Sequence, residues 1–313
     1  MNEMNEMKEI DIAMATYNGE PYILEQIESI QRQTYVNWNL YISDDGSTDN
    51  TVKIISNLVK NDTRIKIINR ERQGGVVKNF NKALMATTAE YVVLSDQDDI
   101  WLDDRLEKLV YKIQEIEGMD NKPKMVFTDL ELVDSEAKTI AMSFYKSNGL
   151  KAQENIKGHN LLWHSTVYGC TTIMNRKLLD QSLPIPDYAQ MHDQWLALNA
   201  KQENGLYYFD YKSLKYRQHA NNVVGGSSNG FSSKLKNFRK NVNNIKASVL
   251  KIKILLKNQP NLYQNNSQFN NYFDFLYFAI KEIFPKILLG DKKIQTLFIF
   301  IGFFVFNTRV LPK

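Results

Sequence analysis

The chain has 313 residues, 43% apolar and 12% aromatic, with 39 Lys and Arg against 35 Asp and Glu. This excludes a disordered or fibrous protein and exceeds a usual single domain, so one large domain with an appendage is expected. A single cysteine, Cys170, excludes a disulfide framework and a Cys-rich zinc site. The first residues show no basic segment followed by an apolar run, so no secretory signal is expected and a reducing cytoplasm is the expected setting. Charge is unevenly spread. Residues 1–210 carry 22 basic and 32 acidic side chains, whereas residues 211–313 carry 17 and 3. An acidic working domain followed by a basic, surface-seeking region is the expected organisation, with a solvated basic helical face as the plainer alternative.

In chain order, Ile10–Met14 reads as a buried strand. Pro21–Gln33 follows as a helix with Ile23, Ile27 and Ile30 on one face. Leu40–Ser43 is a second strand, Val52 to Val59 an amphipathic helix, and Lys66–Ile68 a third strand. A helix around Phe80 and Leu84 follows the Gly74-Gly75 turn, and Tyr91–Leu94 is a fourth strand. Strands separated by helices predict an α/β protein with a mostly parallel, Rossmann-like sheet flanked by helices. Leu102–Ile116 reads as a long helix and Lys124–Thr128 as a strand. The stretch Gly225–Gly230 marks a flexible joint, dividing a domain over residues 1–226 from a basic, aromatic, helical extension over residues 227–313. In the extension, Phe231–Leu256 and Tyr272–Leu289 read as helices. Leu297–Phe306 is apolar but too short to span a bilayer.

Ligands of such sheets bind beyond the carboxyl ends of the strands, and the polar clusters fall there. The sharpest is Asp96-Gln97-Asp98-Asp99 after the fourth strand. Three carboxylates in four residues repel one another unless a cation lies between them. Hard divalent ions such as Mg2+ or Mn2+ favour oxygen donors shared with a diphosphate. Helix capping is the plainer alternative, and it accounts for one acid rather than three. In Asp44-Asp45-Gly46-Ser47-Thr48-Asp49 a carboxylate past a strand end can accept from a base imide N–H, although a strand–turn–helix junction explains Gly46, Ser47 and Asp49 equally well. The absence of GxGxxG after strand one and of GxxxxGK[ST] disfavours a dehydrogenase and a P-loop NTPase. No nucleic-acid partner is expected, because the acidic domain repels phosphate backbones.

The blocks Ala15-Thr16-Tyr17-Asn18-Gly19, Asp44–Asp49 and Ser95-Asp96-Gln97-Asp98-Asp99-Ile100-Trp101, followed by Met191-His192-Asp193-Gln194-Trp195 and Tyr216-Arg217-Gln218-His219, resemble family 2 glycosyltransferases in order and spacing. Within that family they are similar to the bacterial rhamnosyltransferases of surface polysaccharide and O-antigen assembly. The resemblance covers roughly residues 8–226 and implies a GT-A fold and an inverting, metal-dependent hexosyltransferase. It implies a nucleoside-diphosphate sugar donor, dTDP-rhamnose before a UDP-sugar, and a lipid-linked saccharide acceptor. By the same resemblance Thr16, Tyr17, Asn18, Asp45, Asn79 and Asp96 bind the nucleotide, Arg217 the diphosphate, and Asp98 and His219 a Mn2+ or Mg2+ ion. Asp193 is the catalytic base, and a helix cap is its plainer reading. Trp101 and Trp195 are expected to stack on the acceptor. The implied setting is peripheral, on the inner face of a bacterial cytoplasmic membrane, with the C-terminal region touching lipid. The rival from another class is a non-catalytic nucleotide- or carbohydrate-binding protein of the same fold.

Overall fold

A computed structural model describes residues 8–118, 120–219, 238–264, 267–289 and 293–306. The chain divides into two compact units. The first comprises residues up to 148 together with 167–186 and 191–219. The second comprises residues 149–166, 187–190 and 220 onward. The Gly225–Gly230 joint lies outside the described residues.

The first unit opens with β1 (Ile10–Thr16), α1 (Ile23–Gln31), β2 (Trp38–Asp44), α2 (Thr51–Asn61), β3 (Ile65–Asn69), α3 (Val76–Met85) and β4 (Tyr91–Ser95). Then come the two-residue β5 (Ile100–Trp101), α4 (Arg105–Glu117), β6 (Met125–Val133), β7 (Thr139–Ala141) and the single turn α5 (Phe144–Ser147). The short α6 (Gln153–Lys157) belongs to the second unit. The first unit closes with β8 (Thr172–Asn175), α7 (Arg176–Ser182), α8 (His192–Gln202) and β9 (Leu206–Arg217). Nine strands make one sheet in the order β3-β2-β1-β4-β8-β6-β9-β5, with β7 on β6.

Strands β3, β2, β1 and β4 are all parallel. Central β1 and β4 are buried along nearly their whole length, which fits their near-continuous apolar sequences. Strand β8 runs antiparallel to both β4 and β6 and was not visible in the sequence pattern. Parallel register places Thr16 opposite Asp44 and Met14 opposite Ser95, so three polar loops leave the same edge of the sheet. The other decisive pairing is between β5 and β9, which are antiparallel with Ile100 opposite Lys215. Continuing that register by two residues sets Asp98 opposite Arg217. In this way a segment more than a hundred residues later reaches the end of β4.

The second unit is helical, with α9 (Phe238–Asn258), α10 (Tyr272–Phe278), a π turn (Ala279–Ile283), α11 (Phe284–Leu289) and α12 (Lys293–Val305). The sequence reads 272–289 as one helix, and the structure inserts the π turn. Pro285 explains the difference, since it has no N–H for the carbonyl four residues back and its ring crowds that carbonyl. Asn271 and Asp274 cap α10 reciprocally, each accepting from the other's backbone N–H. The core centres on Phe278, which meets Trp163, Tyr263, Phe269 and Phe303 at 5.1–6.0 Å. Lys253 of α9 is buried beside Tyr272, Phe275 and Phe303 and donates from Nζ to the Phe306 carbonyl at 3.0 Å. It thereby places a cation against the carbonyl end of α12.

Candidate active site

The site grows from the loops beyond β1, β2 and β4. Asn18 adopts a left-handed backbone with φ of 48°. Its N–H donates to Ser47 Oγ, and its side-chain oxygen accepts from the Thr48 N–H, both at 2.8 Å. Gln97 grips the same loop from the β4 side: its Oε1 accepts from the Tyr17 N–H at 2.8 Å and its Nε2 donates to the Tyr17 carbonyl at 3.1 Å. Gly19 permits this approach, because a Cβ there would lie 2.4 Å from Gln97 Oε1. The Tyr17 ring is left 42% exposed, with the Arg72 guanidinium 5.4 Å from its centre. Thr16 is buried and donates from Oγ1 to Asp44 at 2.9 Å.

Asp98 and His219 meet directly, with His219 Nε2 2.8 Å from Asp98 Oδ2. The imidazole also stacks on Tyr22 at 4.8 Å. Arg217 fixes this corner. Its Nε donates to the Asp98 carbonyl at 3.1 Å, Nη1 to the Ser135 carbonyl at 2.8 Å and Nη2 to Glu25 at 2.5 Å, while its carbon lies 4.9 Å from the Tyr22 ring centre. The expected diphosphate contact for Arg217 is therefore corrected: its guanidinium is buried and already tied to three oxygens within the protein.

Asp96 and Asp99 lie behind Asp98. Burial, with the charges of Asp98 and Asp193, pushes the Asp96 carboxyl up to about 7. Asp99 is 1% exposed, neither of its oxygens has a hydrogen-bond partner, and burial followed by Asp98 and Asp96 drives its carboxyl well upward. One atom each from Asp96, Asp99 and Cys170 fall within 4.8 Å of one another. Burial raises the Cys170 thiol, so a neutral thiol faces these acids. Arg105 is buried close by, donating to Ser213 at 2.8 Å and to the Cys170 carbonyl at 2.6 Å; burial lowers it to about 10.

Asp193 stands in the first turn of α8, where free N–H groups favour a carboxylate. Its Oδ2 accepts from the Gly169 N–H at 3.0 Å and its Oδ1 from the Gln194 N–H at 2.6 Å. Neighbouring His192 is buried and stacked on Phe80 at 3.9 Å, and burial lowers its pKa. A Cβ on Gly169 would lie 2.8 Å from His192 Nε2 and 3.5 Å from Asp193 Cβ, so Gly169 lets this turn close on α8.

Four expected residues thus converge: Asp96, Asp98, Asp193 and His219. Others are placed elsewhere. Trp101 is 1% exposed beneath the Arg105 guanidinium, and Trp195 is buried with its indole N–H donating to the Ser182 carbonyl at 2.8 Å. Neither ring is available for stacking on an acceptor, because both fill core space. Asn79 is buried, accepting from Ser43 at 2.6 Å and donating to the Thr16 carbonyl at 3.1 Å, so its amide ties β1 to β2 instead of facing a ligand. Asp45 is spent on the backbone, accepting from the N–H groups of Gln73, Gly74 (2.8 Å) and Gly75 (2.9 Å). Both glycines have positive φ, 88° and 125°, which this tight wrap requires. Sequence reasoning passed over Gln97, Glu25 and Tyr22. Gln97 at least carried a signal, lying inside the acidic block, whereas Glu25 is 192 residues from its partner.

A half-parallel sheet flanked by helices, with carboxylates clustered past β4, is the architecture of the GT-A fold. The sequence profile of Glycosyl transferase family 2 matches residues 11–182, and the chain belongs to that family. It is 31% identical over 227 residues to the dTDP-rhamnosyl transferase RfbG of Shigella flexneri, covering 68% of this chain and 74% of that one. It is 28% identical over 199 residues to the Escherichia coli UDP-Glc:alpha-D-GlcNAc-diphosphoundecaprenol beta-1,3-glucosyltransferase WfgD, covering 63% and 71%. Among solved structures, the mannosyltransferase PcManGT of Pyrobaculum calidifontis, in complex with GDP-Man and Mn2+, superposes with a TM-score of 0.55 at 14% identity, covering 97% of this chain and 88% of that one. The protein is a glycosyltransferase.

Proposed function

We propose that this chain is an inverting transferase that moves a hexosyl group, rhamnose from dTDP-rhamnose first and a UDP-sugar next, to a hydroxyl of a lipid-linked glycan in surface polysaccharide assembly. The observation that carries the reading is the convergence of Asp96, Asp98 and Asp193, where burial first and the neighbouring carboxylates second raise Asp96 to about 7, at the edge where Gln97 clamps the Tyr17 loop. Support for the donor and for a lipid-linked acceptor comes from the names of the Shigella and E. coli relatives.

A divalent cation fits this donor set: crowded carboxylates beside one imidazole, with the buried oxygens of Asp99 lacking hydrogen-bond partners. Asp98 and His219 are the residues proposed to hold it, and the Mn2+ of the Pyrobaculum structure supports a divalent cation. When bound, Mn2+ or Mg2+ supplies positive charge for the departing diphosphate. The chain's own residues do the rest. Tyr17, at the exposed end of the clamped loop, lies against the nucleotide. Asp193, oriented by the Gly169 and Gln194 amides, accepts the proton of the acceptor hydroxyl. The acceptor oxygen bonds to the anomeric carbon as the carbon–phosphate oxygen bond breaks, and the nucleoside diphosphate leaves with that electron pair. One base suffices, since a covalent retaining route needs a second positioned nucleophile. Arg217 is a positioning residue that holds the Asp98 backbone. Peripheral contact with the membrane's inner face, through the C-terminal unit, brings the enzyme to its acceptor.

The test is transfer from dTDP-rhamnose and UDP-hexoses to an undecaprenyl-diphosphate saccharide. Turnover by wild type and its loss in Asp193→Asn support the reading. Equal turnover by both removes Asp193 from the mechanism.

A further inference from the structure

The second unit turns two apolar stripes to solvent. Phe273, Tyr277, Ile280, Phe284 and Leu288 recur at helical spacing along α10, the π turn and α11, and all are exposed. On α12 the exposed apolar residues are Ile294, Leu297, Phe298, Ile301, Phe304 and Val305. Ile294 is 74% and Phe273 75% exposed. Phe300 joins the stripes, lying 5.4 Å from Phe284 and 5.0 Å from Phe304. The orientation of α12 is fixed from behind: Ile299 and Phe303 are buried, and a Cβ on Gly302 would lie 2.8 Å from Val249 of α9. A face of this size and composition marks an interaction surface.

Charge selects the partner. Residues 220–313, the last segment of this unit, carry 14 basic and 3 acidic side chains. Of those acids, Asp274 caps α10, and Glu282 is bound inward by His159 and Tyr263, each at 3.0 Å. Lys281 is exposed, 5.7 Å from the Tyr277 ring centre. An apolar face set in a cationic segment suits an anionic lipid surface, and a second copy of the chain would set like charge against like. Spanning is excluded for this element: thirteen residues of α12 reach about 20 Å against a hydrocarbon core of about 30 Å.

We propose that the α10–α12 face seats in the headgroup–acyl boundary of an anionic bilayer, with its aromatic and aliphatic side chains inserted and Lys281 at phosphate level. This rests on the membrane-acceptor reading above and deepens it by naming the surface. It also shifts the role away from the basic α9, whose Val249, Ile252, Leu255 and Leu256 are buried.

The full chain is floated with vesicles of phosphatidylcholine alone and of phosphatidylcholine with phosphatidylglycerol. Wild type should float with the anionic vesicles and less as salt is raised. Phe284→Ser/Phe298→Ser should weaken partitioning by about 100-fold, roughly tenfold per aromatic group withdrawn. Lys281→Glu should weaken it a few-fold at low salt. Leu288→Ser/Ile294→Ser, at strongly exposed positions, repeats the test should the first pair fold poorly. Nucleotide binding by the same samples reports the donor site independently, so failure of one reading leaves the other standing. The proposal is overturned if wild type ignores both vesicles, if the serine variants float like wild type, or if the substitutions instead dissociate a dimer.

Discussion

Asp45 provides the sharpest quantitative test, because two roles for it predict opposite results. Its carboxylate accepts three backbone N–H groups from residues 73–75 and is 6% exposed. In Asp45→Asn one oxygen becomes an NH2 that cannot accept, so at least one amide loses its partner and the others lose charge assistance. Hydrogen bonds to charged groups contribute about 1.5–3 kcal/mol each, and an orphaned buried donor costs about 1–3 kcal/mol. A destabilisation of about 2–4 kcal/mol without any ligand follows. That corresponds to a fall in melting temperature of roughly 3–6 °C for a chain of this size. Thermal unfolding without nucleotide reads the loss, and hydrogen exchange at amides 73–75 localises it. A variant with wild-type melting and protection, but no nucleotide binding, would refute the structural role and restore Asp45 as a base-reading residue.

Other predictions concern the acidic cluster. Asp193→Asn should lower kcat by about 10²–10⁴-fold with donor binding intact, measured by steady-state transfer and calorimetry. Burial raises the Asp96 carboxyl to about 7, so folding favours its protonated form; the metal-free protein loses stability as pH climbs from the ordinary carboxylate range toward 7. The same proton competes with a cation, and Mn2+-dependent nucleotide binding should tighten about tenfold between pH 6 and pH 8, a slope that Asp96→Asn should flatten. Arg217→Lys cannot reproduce three divergent contacts to Asp98, Ser135 and Glu25; it should lower transfer and metal affinity together, checked by Mn2+ titration.

Much of the fold was legible because β1 and β4 are mostly apolar and the intervening helices keep their spacing. The acidic block past β4 and the Tyr17 loop were legible for the same reason: polar residues abruptly end buried strands. Strand β8 was hidden because a four-residue buried segment has no period of its own. The two residues of β5 gave no local signal either, yet their pairing with β9 brings Arg217 and His219 to Asp98. Individual roles were harder to read than positions. Trp101, Trp195, Asn79 and Arg217 carry groups suited to ligands, but burial and internal partners decide their use, and neither is written in local sequence.

The most direct test is calorimetric binding of dTDP, UDP and GDP, with and without Mn2+ or Mg2+, to wild type and Asp98→Ala. The account predicts that one nucleotide, dTDP first, binds only with metal and that the substitution abolishes binding. Metal-independent binding that survives in Asp98→Ala would contradict it.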